Sequence, residues 1–122
     1  MSQALVERIN EFVKVADQIS VEYWERMEYT FAKPPQHQAN YISHKWVRVV
    51  TLDVPNEGEP RVSSVYAFIA LIDGNTKALG SFKAGDIFKP AGWKAPAKHA
   101  RGSVFDADFQ KALTPNGVVY LK

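Results

Sequence analysis

The sequence contains no cysteine and no long apolar run, and its first 33 residues contain neither glycine nor proline. Without cysteine, the chain cannot form a disulfide and offers no thiolate to a nucleophilic mechanism or to a metal cluster. The longest apolar stretch, around residues 65–72, is far shorter than the roughly 18 residues that a membrane helix needs. The first residues also lack the basic and apolar regions of a secretion signal. We therefore expect a cytoplasmic protein without a membrane contact.

Patterns that mark common catalytic sites are also absent. The chain has no glycine-rich phosphate loop and no nucleophile elbow. Its three histidines, His37, His44 and His99, are not spaced as metal ligands, and no acidic cluster supplies oxygen ligands for a divalent cation. We therefore expect a binding protein rather than an enzyme, with no catalytic residue, no metal and no cofactor.

The first 33 residues have the periodicity of an amphipathic helix. Apolar residues recur every three or four positions from Leu5 to Met27, Ser2 is a suitable N-cap, and Pro34-Pro35 is expected to end the run. A helix of this length would measure ~45 Å, whereas a compact domain of this size is ~30 Å across. Either the helix breaks near residues 18–21, or it projects and packs against a second copy, which predicts a homodimer or a higher homo-oligomer.

The remaining residues predict a small antiparallel sheet, so the fold class is α+β within one domain. Residues 1–33 are expected to be helical and oligomerising, and residues 41–122 to form the sheet and a long basic loop. β-branched and aromatic residues are frequent in residues 41–52 and 62–72, and the second strand is expected to be central. Polar connections are predicted over residues 34–40 and 55–60. Shorter strands are predicted over residues 77–81, 87–88 and 118–121.

Charge is unevenly distributed, although the formal net charge is only +2. Residues 1–60 carry six lysines and arginines against nine aspartates and glutamates, whereas residues 61–122 carry nine against four. Residues 80–105 combine four lysines and one arginine with four aromatic residues, two prolines and four glycines. Such a long irregular segment is uncommon in a small domain unless it has a function. Its charge predicts an anionic ligand, the alternative being a solvated surface that is rich in lysine.

Eight residues around this segment are candidates to contact a phosphate-bearing nucleotide. Aromatic rings can stack on a base, the planar guanidinium of arginine matches two phosphate oxygens, and backbone N–H groups in turns can cradle an anion. The candidates are Phe82, Trp93, Lys94, Lys98, His99, Arg101, Gly102 and Ser103.

Structural alternatives exist for several of these residues. Trp93 is equally consistent with a hydrophobic plug that holds the loop against the domain, and Lys94 and Lys98 with solvated neighbours. Phe88 and Phe105, which flank the loop at strand-like positions, are expected to be core residues.

The run GDIFKPAGWKAPAKHARGSVFD, residues 85–106, resembles the Thoeris anti-defence protein family of the first type, as does the strand before it. The resemblance covers roughly the C-terminal half. It implies a phage-encoded protein in the host bacterial cytoplasm that sequesters a cyclic ADP-ribose isomer made by TIR-domain enzymes, without cleaving it. It also implies a homo-oligomer with the ligand near the subunit interface, and cyclic oligonucleotides as further ligands. The residues that it places near the pocket are Phe82, Lys94, Arg101, Gly102 and Ser103.

Three functions therefore compete at this point. The first is sequestration of a cyclic nucleotide signal by a homo-oligomer. The second is a small phage protein that binds nucleic acid through the basic, aromatic residues 80–105. The third is an inhibitor that binds a host protein through its long helix.

Overall fold

A computed structural model describes residues 2–119 and confirms the α+β class: one N-terminal helix is followed by antiparallel sheet structure. The helix is α1 (Gln3–Met27). The strands are β1 (Lys33–Tyr41), β2 (Trp46–Val54), β3 (Arg61–Ala70), β4 (Gly74–Thr76), β5 (Gly80–Phe82), β6 (Ile87–Phe88), β7 (Leu113–Thr114) and β8 (Gly117–Val118). The main sheet has the strand order β1-β2-β3-β6, and two short hairpins, β4–β5 and β7–β8, complete the fold.

Helix α1 begins where the sequence predicts and ends earlier. The Ser2 side chain accepts a hydrogen bond from the backbone N–H of Leu5 at 3.1 Å, which confirms the N-cap. The helix runs unbroken through residues 18–21 and ends at Met27, where Glu28 turns into the left-handed conformation with φ 55°. The expectation that Pro34-Pro35 ends the helix is therefore wrong, because the backbone is already capped six residues earlier.

The predicted polar connection over residues 34–40 is also wrong, because these residues form strand β1 at the edge of the main sheet. An edge strand needs backbone partners on one side only, so it tolerates proline. The register with β2 shifts between Lys33 and Gln36, and this irregularity accommodates Pro34 and Pro35. Tyr41 closes β1 and β2 starts at Trp46, so the strand predicted over residues 41–52 begins later and ends at Val54.

The main sheet has a different apolar cluster on each face. Strands β2 and β3 lie inside the sheet, as expected for β3, and the loop over residues 55–60 is exposed as predicted. One face packs on α1 through the larger cluster. The opposite face carries a smaller cluster, formed by Phe68, Ala70, Phe82 and Phe88 with the partly buried Trp46, Val65 and Leu79.

The first half of α1 is covered by the C-terminal part of the chain. The Nε atom of Arg8 donates to the Val104 carbonyl at 2.6 Å, and Phe12 packs on Tyr66 and on Phe109. At about 1.5 Å per residue the helix is ~38 Å long. It is unbroken, and its buried residues pack in a core formed with its own chain.

The C-terminal segment adds a short 3₁₀ helix, Phe109–Ala112, and the β7–β8 hairpin. Val118 lies in β8, whereas residues 120–121 of the predicted closing strand fall outside the described residues. Within residues 2–119, no helix combines the length and the apolar character that crossing a bilayer requires.

A buried histidine joins α1 to β1. The Nδ1 atom of His37 lies 2.8 Å from Oδ1 of Asp17, and the same carboxylate oxygen accepts the His37 backbone N–H at 2.7 Å. The imidazole packs edge-on against Tyr66, and its Nε2 atom is buried without a hydrogen-bond partner. Burial lowers the pKa of His37 below its ordinary value of 6.5, and the Asp17 carboxylate offsets this effect only in part.

The stability of the protein is therefore expected to fall as the pH drops below about 6.5. The unfolded chain takes up a proton at the ordinary imidazole pKa, whereas the folded chain does so only at the lowered pKa, so acid favours unfolding between these two values. Urea unfolding of wild-type protein and His37→Gln between pH 7.5 and 5 measures this effect. An equally steep pH dependence in the variant would contradict it, because glutamine does not titrate.

Candidate functional site

The basic loop, defined here as residues 83–105, is an irregular hairpin that folds back on itself. Its two arms are joined by backbone hydrogen bonds: Ile87 N–H to the Gly102 carbonyl at 2.8 Å, Arg101 N–H to the Ile87 carbonyl at 2.7 Å, and Ala97 N–H to the Lys89 carbonyl at 2.7 Å. The tip lies at residues 91–95, where Ala91 N–H donates to the Ala95 carbonyl at 3.0 Å. The loop is therefore held by its own backbone, not only by side chains.

The tip of the basic loop is fixed to strand β2 by Arg48. The Nη1 atom of Arg48 donates to the Trp93 carbonyl at 2.7 Å, and its guanidinium carbon lies 5.9 Å from the centre of the Trp93 ring. Trp93 itself is 49% exposed. The ring is thus presented to solvent on a fixed support, which is the condition for stacking and not for a buried plug.

Arg101 is partly committed to the loop itself. Its Nη1 atom donates to the carbonyl of Lys98 at 2.9 Å and to the carbonyl of His99. Its Nε atom is buried and has no acceptor, and the same is true of the Nε atom of Arg48. Each of the two arginines therefore holds the backbone of the stretch 93–99 with one nitrogen and keeps another donor without a partner.

The remaining candidates lie on the surface of the basic loop. The side chains of Lys94, Lys98 and His99 are exposed, and His99 has a positive φ of 71°. Lys89 is different, because its Nζ atom donates to the Val118 carbonyl at 3.1 Å and so connects the basic loop to β8. The loop thus brings Trp93, Lys94, Lys98, His99 and Arg101 together on one hairpin.

Gly102 and Ser103 do not form the open backbone cradle that the sequence suggests. The Ser103 N–H donates to Oδ2 of Asp106 at 3.0 Å, and its Oγ atom accepts the Phe105 N–H at 3.2 Å. Gly102 has φ +142°, a conformation that favours glycine, and its carbonyl accepts from Ile87. Both residues therefore shape the turn, and the Ser103 N–H is not available to a phosphate.

Two aromatic predictions need correction. Phe82 is 6% exposed and packs between Trp46 and Phe88, with ring centres 5.2 and 6.2 Å away, so it offers no free face for a base. Phe88 is buried as expected, whereas Phe105 is 49% exposed and not part of the core. The reason is that the loop turns outward at residues 103–106, where Val104 takes the buried position.

Arg48 is the site residue that sequence reasoning missed. Its position in the run WVRVV carries one signal: Trp46 and Arg48 alternate with the buried Val47 and Val49, which places them on the other face of the sheet. That alternation does not reveal its partner, Trp93, which lies 45 residues further along the chain.

Across the described ranges, 2–119, no group of three histidine, aspartate or glutamate side chains is placed to hold a metal ion. The residues around Arg101 line a small cavity of about 240 Å³ that also includes Asp106 and Asp108. This cavity carries charge of both signs.

A model of a protein family matches residues 3–116, which extend from the first residue of α1 to the turn after β7. The family is DUF7717, a family of unknown function. The chain belongs to DUF7717. No curated protein and no solved structure matches the chain. Membership in DUF7717 covers the helix, the main sheet and the basic loop together, and it neither supports nor opposes the resemblance to Thoeris anti-defence proteins.

Proposed function

We propose that this protein binds and sequesters a cyclic ADP-ribose isomer made by bacterial TIR-domain enzymes, through its basic loop and without cleaving it. A cytoplasmic location in a phage-infected bacterium follows from this proposal. The observation that carries it is the tip of the loop, where a half-exposed Trp93 is held by Arg48 beside the exposed Lys94. Cyclic ADP-ribose presents an adenine that can stack and a pyrophosphate that needs positive charge.

The chemistry of the loop supplies both counterparts. The Trp93 ring offers one face to the adenine, and stacking on an aromatic side chain is worth ~1–3 kcal/mol per base. Arg48 and Arg101, which both hold the backbone of the stretch 93–99, place positive charge beside Trp93, and a phosphate needs such charge. Lys94 and Lys98 add charge at the surface. Because the loop is an open hairpin, a second copy would enclose the ligand, so the proposal includes a homo-oligomer.

The test is retention of the intact ligand. The protein is incubated with the product mixture of an activated TIR enzyme, freed of unbound ligand by gel filtration, heated, and the released compound identified by mass spectrometry. Intact cyclic ADP-ribose is the expected result. A hydrolysed product would indicate an enzyme, and a protein that retains no nucleotide would overturn the proposal.

Trp93→Ala is expected to weaken binding at least tenfold, because the stacking face is lost while the backbone carbonyl that Arg48 holds remains. Titration of the purified ligand measures the affinity. Phe31→Ala is the matched control, since Phe31 is 71% exposed and lies at the opposite end of the main sheet. Equal affinities of the two variants would remove Trp93 from the site.

A second candidate is binding of single-stranded nucleic acid, favoured by the exposure of Lys94, Lys98 and His99 on an open hairpin. Salt separates the two functions. Contacts to several phosphates release several counterions, so nucleic-acid affinity falls steeply with ionic strength. Binding of one pyrophosphate is expected to respond much less. Titrations of a fluorescent oligonucleotide and of cyclic ADP-ribose at 50 and 200 mM salt decide between them.

A further inference from the structure

A cleft with different chemistry lies at the other end of the main sheet. Lys33 of β1 is opposite Val54 of β2, and Asp53 is opposite Arg61 of β3, whereas Trp46 pairs with Ala70 at the end that carries β6 and the basic loop. The C-terminal end of α1 lies beside the end of the sheet that holds Lys33 and Asp53. Trp24 lines three adjoining cavities there, which together form an aromatic cleft. This aromatic cleft is separate from the proposed nucleotide site.

One of these cavities has a volume of about 220 Å³ and a lining rich in hydroxyl groups. Ser20 contributes from α1, Thr51 from β2, and Ser63 and Ser64 from β3. Asp53 is its charged residue, and this carboxylate has no ion-pair partner within 4.0 Å among residues 2–119, although Arg61 is its register partner. The cavity therefore offers many acceptors and one negative charge.

Ser20 points to a ligand in this cavity. The residue is only 2% exposed, and its Oγ atom has no hydrogen-bond partner in the described chain. A buried hydroxyl without a partner destabilises the fold, because its lost hydrogen bonds to water are not replaced. Ser63 already donates its hydroxyl proton to the Thr51 carbonyl at 3.2 Å, so its oxygen can only accept a hydrogen bond from a ligand. The Asp53 carboxylate accepts only, and the Ser20 and Ser63 oxygens can accept as well, so a group that donates several hydrogen bonds suits this cavity.

Trp24, which lines the cavity, belongs to a cluster of aromatic side chains. The Nε1 atom of Trp24 donates to the Ala32 carbonyl at 2.9 Å, and the Trp24 ring packs against Tyr29 and Phe31, with ring centres 4.9 and 5.6 Å away. The adjoining cavity of about 440 Å³ shares Trp24 and Asp53 and is also lined by Glu57, Glu59, Lys33 and Arg61. An aromatic face beside carboxylates attracts an organic cation.

We propose that the 220 Å³ cavity, lined by Ser20 and Asp53, binds an alkyl guanidinium or alkyl ammonium group. Such a cation has only donors, which suits the Asp53 carboxylate, the Ser20 hydroxyl and the neighbouring hydroxyl oxygens. The apolar stem of the cation would lie against Trp24. An anion is disfavoured, since Lys33 and Arg61 line the 440 Å³ cavity and not the 220 Å³ cavity. The cation can come from a free small molecule or from an arginine or lysine side chain of a peptide.

Calorimetric titration with two cationic probes and one neutral control tests the proposal and separates these sources. The first probe is agmatine, and the second is an acetylated, amidated pentapeptide with one central arginine. The same peptide with citrulline is the neutral control of equal shape. Binding of agmatine indicates a small-molecule site, whereas binding of the arginine peptide alone indicates a peptide site. Failure of both cations to bind, or equal binding of the citrulline peptide, would overturn the proposal.

Two single substitutions test whether the cation binds beside Asp53. Asp53→Asn keeps the shape of an exposed side chain and removes its charge, and is expected to weaken binding of the cationic probe at least tenfold. Glu11→Gln removes the same charge from the exposed face of α1 and is expected to leave binding unchanged. Equal affinities of these two variants would contradict the assignment.

Ser20→Ala gives a result that a purely structural serine would not produce. Removal of the unpartnered hydroxyl is expected to raise the melting temperature, because the buried group no longer lacks a hydrogen bond. The same change is expected to weaken binding of the cation severalfold, since one acceptor is lost. Unchanged affinity in a fully folded Ser20→Ala protein would show that Ser20 does not face the ligand.

Discussion

Phe12→Ala is expected to lower the free energy of unfolding by about 3–5 kcal/mol, the usual cost of removing a buried aromatic ring. Phe12 is fully buried on α1 and contacts Tyr66 from the main sheet and Phe109 from the 3₁₀ helix, each with a ring-centre distance of 6.0 Å. The ring therefore fills the space where helix, sheet and C-terminal segment meet. Three separate elements cannot all move in to close the cavity that alanine would leave.

Urea unfolding monitored by tryptophan fluorescence measures this loss, with the slope of the transition checked for constancy. Glu11→Ala, one residue earlier on the exposed face of the same helix, is the control and should change stability by less than ~0.5 kcal/mol. A loss below ~1 kcal/mol in Phe12→Ala would mean that the junction is loosely packed.

Arg8→Met is expected to cost about 2–3 kcal/mol, because hydrogen bonds from a charged group contribute more than neutral ones. Besides the Nε bond to the Val104 carbonyl, Arg8 donates from Nη2 to the Asp106 carbonyl at 3.1 Å, and its guanidinium lies 5.1 Å from the centre of the Phe109 ring. Methionine keeps much of the apolar stem and removes all of these polar contacts. The base of the basic loop then loses its attachment to α1.

Hydrogen exchange gives the more specific readout of this change. The amides of Arg101 and Val104, which close the base of the loop, are expected to exchange faster in Arg8→Met than in wild-type protein. Arg26→Met is the matched control, because Arg26 stacks on Tyr23 at the far end of the same helix. Unaltered exchange at the loop in Arg8→Met would show that the hairpin holds itself without the helix.

The elements that could be predicted from the sequence are those whose side chains carry a clear period or a strong composition. The spacing of Leu5, Ile9 and Phe12 fixes the buried face of α1, and the β-branched run of β3 marks an inner strand. Strand β1 could not be predicted, since KPPQHQANY is polar and contains two prolines. Its stability comes from pairing with β2 and from His37 and Asp17, which are contacts between distant residues.

The sequence identifies the segment that forms the candidate site, but it does not predict most of the contacts that the residues of this segment make. Composition alone singles out the basic loop, and the structure places Trp93, Lys94 and Lys98 on its surface. Composition cannot tell that Phe82 joins the core or that the Ser103 N–H is already bonded to Asp106. The aromatic cleft was missed because Trp24 and Phe31 fall within a stretch that the sequence predicts as one helix, whereas the chain turns between them.

The contact between Arg8 and Val104 joins residues that are 96 positions apart in the chain. During synthesis, the helix emerges from the ribosome long before the segment that covers its first half. Until then, Leu5, Ile9 and Phe12 have only part of their burial, and such exposed apolar surface favours aggregation or capture by chaperones. Closing a loop of this length also slows folding. The order of biosynthesis therefore makes the arrival of residues 104–118 the event that completes the core.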